Sequence, residues 1–274
     1  LLRLAGTAVV VAGCGRAKDQ QGASPQQIHP AEATAAKMTF SDLPVAPKPE
    51  VAPELLAEGK AVYSQNCAAG HGVNGDGKGD AAAFLLPKPR NFVQANYRLR
   101  STPAGHLPTD VDLFRAVSLG LPGTPMPPWR VMLSDNDRWA VVEYIKTFSP
   151  RFANTNENLS IVVNLGTPPP RNEAALREGK AMFTKFACIT CHGESGQGNG
   201  PSAVGLVDDS QLHINPRNFS QPIAFKSGYA TKEIVRTILT GFNGTPMLGF
   251  AGTIPNQDAW KIAYYVESFA KPAT

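Results

Sequence analysis

The sequence predicts a mainly α-helical protein of two tandem domains with long loops, preceded by a flexible segment. Three observations carry that expectation. The chain repeats itself once: Glu58-Gly59-Lys60 returns as Glu178-Gly179-Lys180, His71 as His192, Arg115 as Arg236, Gly120 as Gly241, Gly123-Thr124-Pro125-Met126 as Gly244-Thr245-Pro246-Met247, Trp139 as Trp260 and Tyr144 as Tyr265. Apolar residues in the longest segments of each copy recur at helical spacing. The 25 glycines and 24 prolines among 274 residues leave much of each copy to loops.

In chain order, residues 1–14 read LLRLAGTAVVVAGC, a single arginine and an apolar stretch ending at Cys14. The stretch has the length of a signal h-region and is too short to span a bilayer. With no initiator methionine and little of a basic region before it, its start is expected upstream. Small residues before Cys14 resemble a bacterial lipobox, which implies a lipidated cysteine at the mature N-terminus; the alternative is a signal peptide with an incidental cysteine. Residues 15–50, rich in Ala, Gln and Pro without sustained period, read as a flexible tether.

Domain one is expected over 51–150 and domain two over 170–274. Helices are predicted at 53–66 and 172–187, each placing a glycine (Gly59, Gly179) where a second helix can approach closely. A middle helix starts after Thr109, a good N-cap, and stops near Gly120; its counterpart runs from Thr231 to about Gly241. Last helices are predicted over 135–148 and 256–269, with Gly59 facing Tyr144. In the linker 151–169, Ile161-Val162-Val163 reads as a short strand, and Pro168 to Pro170 as a stiff exit.

Composition narrows the function classes. The chain is 42% hydrophobic and 18% charged, with a net charge of +4 and no basic run, so nucleic-acid binding has little support. No stretch after the N-terminal segment reaches the 18 apolar residues of a membrane span.

The chemistry lies in two short strings. Residues 188–193 are Cys-Ile-Thr-Cys-His-Gly, and residues 67–72 are Cys-Ala-Ala-Gly-His-Gly. Cys188 and Cys191, one helical turn apart, put two thiols on one side where the two vinyl groups of a haem can each take a thioether; His192 follows and reaches the iron. Structural zinc wants further Cys or His ligands at suitable spacing, which domain two lacks. A redox Cys-x-x-Cys wants a βαβ setting, and this domain reads as helical. Met247, in a loop 55 residues after His192, is the candidate sixth ligand, and Met126 stands 55 residues after His71.

On these residues both halves resemble class I cytochrome c domains, and the chain resembles a tandem dihaem c-type cytochrome lipoprotein. The resemblance implies two haems c, His71 and His192 as axial ligands opposite Met126 and Met247, and a glycine-rich loop (Gly75, Gly77, Gly79; Gly196, Gly198, Gly200) around the haem edge. It implies a backbone carbonyl accepting from the histidine Nδ1, with Pro201 the candidate, replaced by Asp80 in domain one. Arg90 and Arg217 are candidates for pairing with haem propionates, a surface loop arginine being the alternative. Trp139 and Trp260 read as core or haem wall. His29, His106 and His213 read as structural or solvated.

Domain one lacks the second thiol because Gly70 stands there. The favoured reading is haem held by one thioether at Cys67 plus axial ligation; a haem-free relic and an altered residue are the rivals. The implied function is single-electron transfer between redox protein partners, a quinol-oxidising complex or dehydrogenase as donor and a terminal oxidase or reductase as acceptor, at the periplasmic face of a membrane held by lipid. Rival functions are a dihaem peroxidase-like or thiosulfate-oxidising enzyme, or a one-haem carrier whose first domain docks partners.

Overall fold

A computed structural model describes residues 39–153, 161–221 and 225–270. Cys14, the signal segment, tether residues 15–38 and His29 lie outside the described residues. Domain one consists of α1 (Pro53–Asn66), the short α2 (Ala68–His71), α3 (Asp110–Leu119) and α4 (Asp135–Lys146). Domain two repeats this as α5 (Glu173–Lys185), α6 (Ile189–His192), α7 (Thr231–Thr240) and α8 (Asn256–Glu267). No strand occurs among the described residues, where one isolated bridge joins Val207 to His213. Ile161-Val162-Val163 is extended but forms no strand; Val163 N donates to Ser101 O at 2.8 Å.

The helices begin and end where local chemistry says. Thr109 caps α3 by accepting from the Asp112 N–H, and the Asp112 carboxylate accepts from the Thr109 N–H, a reciprocal capping box. Ser134 and Asp137 do the same for α4, and Asn172 caps α5. Gly120 and Gly241 stop α3 and α7 at φ 64°, a conformation that only glycine adopts without penalty.

In each domain the first and last helices cross at a glycine. A Cβ on Gly59 would lie 2.1 Å from Ala140 O, and one on Gly179 would lie 2.0 Å from Lys261 O. The backbones therefore touch, with Tyr144 and Tyr265 flanking the contact as expected. The first core gathers Tyr63, Phe92, Phe114, Trp139 and Val142; the second gathers Phe183, Phe219, Val235, Leu239, Trp260 and Ile262.

The expected tether needs one correction. Residues 39–50 are folded, with Phe40 and Leu43 only 3% and 6% exposed. Phe40 lies under the Arg236 guanidinium at 4.7 Å, and Ser41 N donates to Glu233 Oε1 at 2.7 Å. The segment then crosses to domain one, where Ala46 O accepts from Trp139 Nε1 at 3.0 Å. Linker residues 161–169 form the matching strap on domain two, with Leu165 O accepting from Trp260 Nε1 at 2.8 Å. Neither segment has a sustained apolar period. Each indole nitrogen is buried and needs an acceptor, and an extended strap supplies one.

The two domains share a buried seam. Arg100, 0% exposed, donates to Thr240 O and to Gly241 O (3.3 Å) at the end of α7. Its own carbonyl accepts from Arg236 Nη1 at 2.7 Å. Arg236 in turn is paired with Glu233, both almost wholly buried. Desolvation pulls Arg100 down to about 10, still charged at neutral pH, and the carbonyls of a helix C-terminus are a favourable partner for that charge.

Candidate functional site

Each histidine sits at the end of a one-turn helix and is held in the same way. His71 Nδ1 is 3.0 Å from Arg90 O, and His192 Nδ1 is 3.3 Å from Arg217 O. An imidazole nitrogen facing a carbonyl must carry the proton, so Nε2 is left as the free lone pair. Burial lowers the pKa of both, to about 4 for His192, so both rings are neutral at pH 7, the form that binds a metal. Phe92 and Phe219 stack on the two rings at 4.4 Å between centroids.

Pro201 does not supply the carbonyl. The glycine-rich loop folds under its helix: Gly198 N donates to His192 O (2.9 Å) and Gly200 N to Cys191 O (3.1 Å). Because a Cβ on Gly200 would sit 2.3 Å from Thr190 O, this tight return carries Pro201 outward, where it is exposed. A Cβ on Gly198 would lie 2.3 Å from Pro216 O, and one on Gly77 would lie 2.9 Å from Pro89 O. These glycines let the Pro-Arg-Asn-Phe segments pass close enough to present the Arg90 and Arg217 carbonyls. The return of Pro89-Arg90-Asn91-Phe92 as Pro216-Arg217-Asn218-Phe219 signals a shared role; the choice of backbone over side chain is decided by the packing.

Cys67, Cys188 and Cys191 are free and half-buried. Burial pushes the Cys67 thiol up to about 12 and Cys188 up to about 11. Redox-active cysteine pairs have depressed values, so these thiols fit a pocket for an apolar partner better than a dithiol switch. Among the described residues no three His, Cys, Asp or Glu side chains gather as a metal cluster.

Gly70 leaves the helix unchanged. Gly70 N donates to Cys67 O (3.1 Å) as Cys191 N does to Cys188 O (3.3 Å), and Gly79 N returns to Gly70 O at 3.2 Å. A Cβ on Gly70 would meet Leu85 Cδ1 and Pro89 Cγ at 3.6 Å, ordinary contact. Gly70→Cys should therefore fold without loss of stability beyond about 0.5 kcal/mol.

The methionine loops are superposable in their bonding. Leu121 N donates to Met126 O (3.1 Å) and Phe242 N to Met247 O (3.0 Å). Thr124 and Thr245 Oγ1 donate to Leu121 O (2.7 Å) and Phe242 O (2.9 Å), and each accepts from its methionine N–H at 3.2 Å. Both methionines are partly buried. Trp139 lies in the core, stacked on Phe114 at 4.4 Å.

A surplus of positive charge marks the seam. Arg98 Nη2 is 2.6 Å from Asp208 Oδ2, and Arg90 Nη1 is 3.6 Å from Asp209 Oδ2. Lys226 and Arg217 add two more cations nearby, and Lys226 falls to about 8 through burial and the charges of Arg98, Arg217 and Arg90. The Tyr97 hydroxyl, close enough to feel Arg90, is buried without a partner. Buried cations outnumbering carboxylates beside an orphaned hydroxyl fit a group that brings its own carboxylates, as haem propionates do. Sequence reasoning found Arg90 and Arg217 and missed Tyr97, Arg98 and Lys226, which carry no motif.

Comparisons agree with this geometry. Residues 56–149 match the family model described as cytochrome c, and residues 174–266 match that of cytochrome c oxidase, cbb3-type, subunit III. A solved chain from the Kuenenia stuttgartiensis reducing HAO-like protein complex is 37% identical, with TM-score 0.75, the match covering 84% of this chain and 100% of that chain. A search of curated proteins gave no match.

Proposed function

The chain belongs to the c-type cytochromes, two cytochrome c domains in tandem, and on that premise we propose that it is a dihaem electron carrier with one haem c in each half. Haem supplies reversible one-electron chemistry, and the chain holds, orients and tunes it. His71 and His192 offer Nε2 to the two irons, their rings fixed by the Arg90 and Arg217 carbonyls. Met126 and Met247 would supply a second ligand to each iron, a soft sulfur that raises the potential. Cys188 and Cys191 would hold their haem through two thioethers, and Cys67 its haem through one. Arg90, Arg98 and Tyr97 would hold the propionates of the first haem, and Arg217 with Lys226 those of the second.

One observation carries the reading for both halves. Domain one builds the same histidine–carbonyl contact and the same methionine loop although its second thiol is missing. Iron ligation needs that imidazole and thioether, not the second covalent bond. Denaturing mass spectrometry of the mature holoprotein should show two haem masses per chain; one mass would overturn the assignment to domain one.

The partners are redox proteins. A similar chain belongs to a multi-chain reducing HAO-like complex, which supports docking against a larger oxidoreductase. Acylation of Cys14 places the carrier at the periplasmic face of a membrane, within reach of a quinol-oxidising complex or dehydrogenase as donor and a terminal oxidase or reductase as acceptor. The small residues before Cys14 support lipid as the anchor; no helix of the described residues is long and apolar enough to cross a membrane. Cys14→Ser should release the protein from the membrane fraction.

A further inference from the structure

The two methionine loops are alike inside and different outside. A Cβ on Gly123, in the Met126 loop, would meet nothing within 4 Å, and Pro122 beside it is exposed. Among the described residues, the hydrogen bonds of residues 121–126 stay within that loop. The Met247 loop is gripped from domain one directly at two points, and at a third through Asp209 of its own domain. Arg100 donates to Thr240 O and Gly241 O (3.3 Å), carbonyls that the end of α7 leaves without helical partners. Asn243, standing where domain one has Pro122, accepts from Gly105 N (2.9 Å) and donates to His106 O (3.3 Å). Gly244 O accepts from Asp209 N (2.9 Å), and the Asp209 carboxylate is tied to Asn96 at 3.0 Å. A Cβ on Gly244 would lie 2.3 Å from Asp209 Oδ2, so this loop is packed where its twin is open.

We propose that domain one is the clamp that sets Met247, with Arg100 and Asn243 as positioning residues acting through the loop backbone. The second iron's sulfur ligand is then held by the interdomain seam, and the first iron's by its own loop alone. Anything that opens the seam, a docking partner included, loosens Met247 and makes the sixth position of the second haem exchangeable. The inference rests on the axial assignment of Met247 made above.

The test uses full-length oxidised holoprotein in a Met126→His background, so that the sulfur-to-iron charge-transfer band reports Met247 alone. Imidazole displaces the methionine, and loss of the band gives its affinity. Asn243→Pro gives the position the residue of the first domain's loop, whose bonding is the same, and the Asn243 N–H donates no bond that proline would remove. Losing the two side-chain bonds should raise imidazole affinity roughly tenfold. Arg100→Gln should do at least as much, and Pro122→Asn in a Met247→His background should change nothing at the first haem. If the Met126→His parent shows no charge-transfer band, the ligand assignment itself fails. If the band is present and imidazole affinity is unchanged in Asn243→Pro, the clamp is overturned, whether or not Arg100→Gln folds.

Discussion

Gly179→Ala will cost domain two roughly 3 kcal/mol, at the upper end of what overpacking does to a well-packed interior. The added methyl would fall 2.0 Å from Lys261 O, and the clashing atom is backbone inside α8, which cannot rotate away. The sign is the informative part. At an exposed helix position the same exchange gains about 1 kcal/mol from helix propensity, so a loss isolates the crossing as its cause. Lys180→Ala, one residue on and exposed, should stay within about 0.5 kcal/mol of the parent. Urea titration followed by helix dichroism reads both. A Gly179→Ala chain as stable as the parent would mean that α5 and α8 are not in backbone contact. Gly59→Ala should behave in the same way against Ala140 in domain one.

On the proposed His/Met ligation of two haems, Met247→His will lower the potential of one haem and leave the other in place. Axial ligands move haem potentials across a span of about 0.8 V, and exchanging thioether for imidazole should account for on the order of 0.2 V of it. A spectroelectrochemical titration of the parent should need two components, and the variant should displace only one of them. The charge-transfer band should fall to about half, which the reduced methionine count requires if both halves ligate alike. Unchanged potentials, with the full band retained, would show that Met247 is a packing residue and that the second iron takes its sixth ligand elsewhere.

Much of the fold was legible in the sequence because helix boundaries are local events. Thr109 and Gly120 bracket α3 through a hydroxyl reaching three residues ahead and a φ of 64°, and both signals lie within the segment that they terminate. The internal repeat added a second reading of every element, so a methionine that would pass for core in one copy stood out when its whole loop returned at the same distance from a histidine. The helix crossings at Gly59 and Gly179 were legible for the same reason.

The straps were not. Residues 39–50 and 161–169 have no periodic apolar face, and what orders them is a buried indole N–H more than ninety positions away in each case. Pro201 was misjudged because the path of the glycine-rich return depends on contacts that Gly200 and Gly198 make with other segments.

By itself, then, the sequence determined what each half contains: the helices, the attachment strings, the paired histidine and methionine positions and the absent thiol at Gly70. Only the tertiary structure decided which carbonyl orients each imidazole, where the surplus cations gather, and that Arg100 and Asn243 tie one methionine loop to the neighbouring domain. The division has a physical cause. Helix caps and thioether spacing are satisfied within a few residues, whereas a buried donor takes whatever acceptor the completed packing brings to it.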